Sequence, residues 1–89
     1  MNDEAAKLAF AALLTELRRA HDLHPLWPTD PYRVLAIIGE ELGEAQQAAL
    51  DATYHGQPWS RYEVELVQVG AMVLRALMNS HASPSCVQP

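Results

Sequence analysis

Cysteine is almost missing from this 89-residue chain: Cys86 stands alone in the closing stretch "SHASPSCVQP". A single thiol excludes an intramolecular disulfide framework and a cysteine-rich zinc site, and the expected location is the reducing cytoplasm. Basic residues are scarce as well. Six Lys and Arg face eleven Asp and Glu, the net charge is −5, and the six cations are scattered. Duplex nucleic acid is held largely by clustered cations on phosphates, so no duplex partner is expected, and a polyanionic ligand would need a bridging cation. Long apolar runs are lacking too. Residues 1–20 carry Asp3, Glu4, Lys7, Glu16, Arg18 and Arg19, which fits neither a secretion signal nor a membrane span, and no membrane partner is expected. Internal repeats and the alternating pattern of a half-buried strand are also absent.

What is present is apolar residue at helical spacing. The hydrophobic fraction of 49% against 19% charged is a globular composition. A chain this short buries only about 60% of the surface its unfolded form exposes, so oligomerisation is expected to help. From about Asp3 to Asp22, Phe10, Leu13, Leu14, Leu17 and Ala20 recur on one side, opposite Lys7, Thr15, Arg18, Arg19 and Asp22. Pro25 and Pro28 stop this helix, because proline lacks an amide donor and its ring clashes with the preceding turn. Asp30 as N-cap and Pro31 in the first turn start a second helix, running to about Tyr54. "HGQP" breaks it. A third helix is expected from Arg61 to about Ser80, with Ser60 as N-cap, Glu63 completing a capping box and Trp59 stapled to Val64. The fold expected is all-α: a three-helix bundle with room for a short fourth element over residues 1–80, followed by a frayed tail at 81–89.

The second helix contains "GEELGEAQQAAL", in which three acids sit among few large apolar residues. At about 100° per residue, the mean direction of Val34, Ile37, Ile38, Ala45, Ala48 and Ala52 falls almost on Glu41. Glu44 lies at the border of that stripe, and Glu40 joins Arg33, Gln47 and Asp51 on the polar side. On the third helix Glu65 lies between Val69, Met72 and Ala76, and Gln68 shares a side with Arg61 and Arg75. A carboxylate placed alone in apolar surroundings costs several kcal/mol or becomes neutral. Two helices that turn acids to one seam can instead converge oxygens on a hard divalent ion, Mg²⁺ or Mn²⁺. The competing reading is that Glu41 reaches out to solvent and Glu44 pairs with a basic residue.

Glu40, Glu41 and Glu44, followed some twenty residues later by "ELVQ" from Glu65 to Gln68, resemble the signature of the all-α, MazG-like nucleoside triphosphate pyrophosphohydrolases. The similarity runs over roughly Trp27 to Leu77 and includes "WPTDP" and "ELVQVGAMVLRAL". The resemblance implies Mg²⁺ or Mn²⁺ on Glu41, Glu44 and Glu65, with Gln68 where the family usually has aspartate. It implies a nucleoside triphosphate substrate, attacked by a metal-activated water to give the monophosphate and pyrophosphate, as in the removal of non-standard or excess (d)NTPs. Glu40 would orient the water or simply be solvated. The family's small members are homodimers or homotetramers, and their pockets often draw on more than one subunit.

Gln68 is the departure: an amide ligates only through its oxygen and brings no charge. It leaves open an enzyme with fewer or weaker metals, an enzyme in which Gln68 contacts substrate, or a relative that binds a nucleotide or a protein partner without hydrolysis. A helical oligomerisation module with salt-bridged glutamates is the third class of reading. Arg61 and Arg75, at seven-residue spacing from Gln68, are candidates for phosphate contact or ordinary surface cations. Trp27, Tyr32, Tyr54 and Trp59 are candidates for base stacking or packing. His21 and His24 flank a helix end with no third ligand and are expected to be exposed. Gly39 and Gly43 with Ala36 form a small-residue stripe expected to mark close helix approach, and the nearly all-round apolar third helix is expected to meet another subunit.

Overall fold

The computed structural model describes residues 1–80, so the tail expected at 81–89, Cys86 included, lies outside the described residues. Three helices follow in order: α1 (Asp3–Leu23), α2 (Pro31–Tyr54) and α3 (Trp59–Met78). Among the described residues there is no strand and no fourth helix, and no helix is long and apolar enough to cross a membrane. The first two starts follow capping chemistry. Asn2 accepts from the Ala5 amide through Oδ1, and Asp30 Oδ1 accepts from the Tyr32 amide while Pro31 occupies the first turn.

The start of α3 differs from the expectation by two residues. Pro58, in an extended conformation, flanks the helix, and no side chain caps it. Ser60 is therefore already helical and does not act as N-cap. Trp59 turns its ring edge-to-face onto Tyr62, with centroids 5.6 Å apart, and Val64 stays exposed, so the staple to Val64 is replaced by an aromatic pair one turn along. Between α2 and α3 the chain reverses at Gly56, whose φ of 69° is left-handed, and the Gln57 amide closes on the Asp51 carbonyl.

α3 is the middle of the bundle. It packs closely against both α1 and α2, whereas the backbones of α1 and α2 stay apart from each other. Leu17, Ala20, Ala71 and Met72 form the buried cluster, with Leu14, Trp27, Ile37, Ile38 and Leu74 against it. Ala45 and Ala48 bury the inner side of α2. The close approach assigned to Gly39 and Gly43 falls elsewhere: a Cβ at either would meet nothing within 4 Å, while one at Gly70 would lie 2.5 Å from Leu13 Cδ2. Gly70 is the notch into which α1 sets Leu13. Arg75 secures the linker between α1 and α2. Its Nη2 donates to the His24 carbonyl at 2.5 Å and its guanidinium stacks on Trp27, 4.7 Å from the ring centroid.

Candidate metal centre and cleft

The heart of α2 and the first half of α3 run antiparallel, so residues descending one helix meet residues ascending the other. This register brings Glu41 and Glu44, one turn apart on α2, to Glu65 on α3. Each offers a carboxylate oxygen, and the three oxygens all lie within 4.8 Å of one another. Glu41 and Glu65 are half-buried and Glu44 is exposed. Glu41 points inward, as the direction of its apolar neighbours requires: Val34, Ile37, Ile38 and Ala52 are half-buried and Ala45 and Ala48 buried around it. Glu40 is exposed on the far side of α2.

Acids this close disfavour one another's charge. Burial, then repulsion from Glu44, Glu65, Glu16 and Glu40, holds the Glu41 carboxyl above the ordinary carboxylate range. Burial also pushes Glu65 up, and a hydrogen bond with Glu44 and Glu44's charge push it further, against the opposing pull of Arg61. Gln68 supplies the remaining compensation. With its amide nitrogen toward the acids it donates to Glu41 Oε2 at 3.2 Å and to Glu65 Oε2 at 2.9 Å; the reverse orientation would set its carbonyl oxygen against acceptors. Ligation of a cation through the Gln68 oxygen requires that amide to turn over.

Beside the acids, the space between the separated backbones of α1 and α2 forms a cavity of about 310 Å³. Its floor is α3, through Gln68, Met72 and Arg75; one wall is Glu41 and Ile37 of α2, and the other is Glu16, Arg19 and Ala20 of α1 with Trp27 of the linker. Glu16 holds Arg19 in a two-pronged pair, Nε to Oε1 at 2.8 Å and Nη2 to Oε2 at 2.7 Å. The hydrogen bond and charge of Glu16 raise the Arg19 pKa.

Arg75, one of the two arginines singled out from spacing, lies against this cavity, 5% exposed and bonded to the linker. The other, Arg61, reaches back to Asp51 Oδ2 at 3.0 Å near the hairpin turn. Trp27 is in the cleft wall; Tyr32, Tyr54 and Trp59 are largely exposed and line no part of it. His21 and His24 are exposed, as expected. Glu16 and Arg19 are members of the cleft that the sequence reading did not single out. A signal existed: Glu16 lies one turn before Ala20 on the flank of the α1 apolar stripe, with a matching arginine at i+3.

The donor set suits a hard cation: three carboxylates on two rigid helices, close enough to converge, with an amide oxygen one rotation away. Comparison of the chain with protein-family models, curated proteins and solved structures gives no match.

Proposed function

We propose that the cleft is the site of a metal-dependent nucleoside triphosphate pyrophosphohydrolase of the MazG-like type, working as a homodimer or homotetramer and releasing a nucleoside monophosphate and pyrophosphate. The convergence of Glu41, Glu44 and Glu65 to within 4.8 Å beside a cavity of about 310 Å³ carries the reading. Mg²⁺ or Mn²⁺ held by these three residues, with Gln68 turned to offer its oxygen, supplies neutralisation of the acids and polarisation of phosphoryl oxygens. The chain's own groups do the rest. Arg75 in the floor and Arg19 at the wall bring positive charge to an anionic ligand, and Trp27 offers a flat apolar surface beside them. Glu40, outside the cleft on exposed helix, is a solvated residue in this reading.

The alternative, a relative that binds nucleotide or a protein partner without hydrolysis, draws on one specific observation: the Gln68 amide already satisfies two of the acids. Incubation with a panel of (d)NTPs and Mg²⁺ or Mn²⁺, followed by separation of products, decides between them. Monophosphate plus pyrophosphate is the expected outcome. No turnover, together with a nucleotide-dependent rise in melting temperature, selects the binding relative; neither response rejects both.

A further inference from the structure

A second cavity, of about 540 Å³, opens on the side of α1 turned away from the cleft, and its size is usual for a small-molecule site. The phase of α1 separates the two. Glu16, Arg19, Ala20 and Leu23 face the cleft, whereas Leu14, Leu17, Arg18 and His21 face the second cavity, about half a turn round the helix. Trp27 and Arg75 line both and stand between them. Arg75 lacks a counter-charge. It is 5% exposed, yet its guanidinium makes one hydrogen bond, to the His24 carbonyl, and one stacking contact, on Trp27; among the described residues no carboxylate pairs with it. A guanidinium carries five N–H donors in a planar fork, so most of them have no acceptor in the described protein.

A buried cation left in that condition is costly, and a pair of oxygens in one plane answers both its charge and its donors. That pair is the shape of a carboxylate. The rest of the lining describes the body that carries it. Leu14, Leu17, Trp27 and Met78 supply apolar wall, while Arg18 and His21 stand exposed at the rim. Asp22, next to His21 in the same lining, repels a second negative charge, so the cavity suits a single anionic head better than a polyphosphate. We propose that this cavity binds an amphiphilic carboxylate: one carboxylate head drawn to Arg75, with Arg18 adding charge at the rim, and an apolar chain or ring against Leu14, Leu17 and Met78. The inference is independent of the reaction proposed above, since Glu41, Glu44 and Glu65 line no part of this cavity.

Octanoate is the probe, with 1-octanol as the same chain without charge and acetate as the head without a chain. In the full chain, Trp59→Phe leaves Trp27 as the one tryptophan, so its fluorescence reports on the residue between the two cavities. Octanoate is expected to saturate that signal and to raise the melting temperature, while octanol and acetate bind at least about tenfold more weakly. Because Trp27 and Arg75 also border the cleft, variants confined to one side locate the probe. Arg18→Glu, on an exposed position of α1, is expected to weaken octanoate about tenfold, and Arg19→Ala, on the cleft side, to leave it within about twofold. Arg75→Lys keeps the charge and loses the fork, and is expected to weaken octanoate about tenfold; Arg18→Glu carries the test if that variant unfolds. Octanol binding as tightly as octanoate overturns the proposal, as does the absence of any response to octanoate in both readouts. So does octanoate binding that survives Arg18→Glu unchanged or is lost in Arg19→Ala.

Discussion

Glu41 is the residue on which the site turns, because it alone of the three acids combines an inward direction with contact to Gln68 and a place in the cavity wall. Glu41→Gln removes a charge without changing shape. Turnover is expected to fall beyond the tenfold to hundredfold typical of outer-sphere changes around a metal, while the melting temperature in chelator holds or rises; phosphate-release assays and thermal melts read the two effects. Gln68→Asp exchanges a donor for a fourth negative charge. Titration calorimetry with Mn²⁺ is expected to show binding at least tenfold tighter, and the cation-free protein melts at a lower temperature than the parent. The pH dependence has a definite sign. A carboxyl whose folded pKa stands above its unfolded value binds more protons when folded, so stability is greatest below the ordinary value of 4.5, falls as pH rises through the raised values of Glu41 and Glu65, and is level beyond. Melts in chelator from pH 4 upward should show that decline, and Glu41→Gln should flatten it. A decline unchanged in the variant would place its origin elsewhere.

Each helix start makes a separate, smaller statement. Asp30→Ala is expected to cost about 1 kcal/mol in denaturant unfolding because the Tyr32 amide loses its acceptor. Ser60→Ala is expected to stay within about 0.5 kcal/mol because Ser60 caps nothing. The contrast explains what could be read from the sequence. Asp30-Pro31 combines a side-chain acceptor with a residue whose fixed φ suits the first turn, and the helix begins where that pair says. "PWSRYE" offers a capping box in letters, but Pro58 is already held extended and Trp59 finds Tyr62 one turn on, so local aromatic packing overrides the cap. The inward turn of Glu41 was legible because it depends only on helical period and the positions of Ile37, Ile38, Ala45 and Ala48. The pairing of Glu44 with Glu65, the donation from Gln68 and the share of Glu16 and Arg19 were not, since each depends on the register between helices. Gly39 and Gly43 misled for the same reason: composition marks small residues, and only packing shows that Leu13 seeks Gly70.

At the scale of the whole molecule, Arg75 joins what the helices alone would leave apart. It is buried in α3, bonded to the carbonyl that ends α1 and stacked on the linker that leads into α2. Arg75→Ala empties that junction and is expected to cost about 2–3 kcal/mol, read by urea unfolding. Arg75→Lys is expected to recover only part, because an ammonium keeps the charge and loses the planar stack. A loss below about 0.5 kcal/mol for the alanine variant would show that the linker is held by other means. The arrangement in which α3 packs closely on both neighbours while their backbones stay apart also has a consequence for assembly. Residues 1–58 hold two helices whose backbones do not approach each other, so most of the packing of the bundle requires α3. Assembly of the bundle is therefore expected to depend on α3: α2 reaches it across a four-residue turn, whereas the contact of the α1 end with Arg75 bridges some fifty positions.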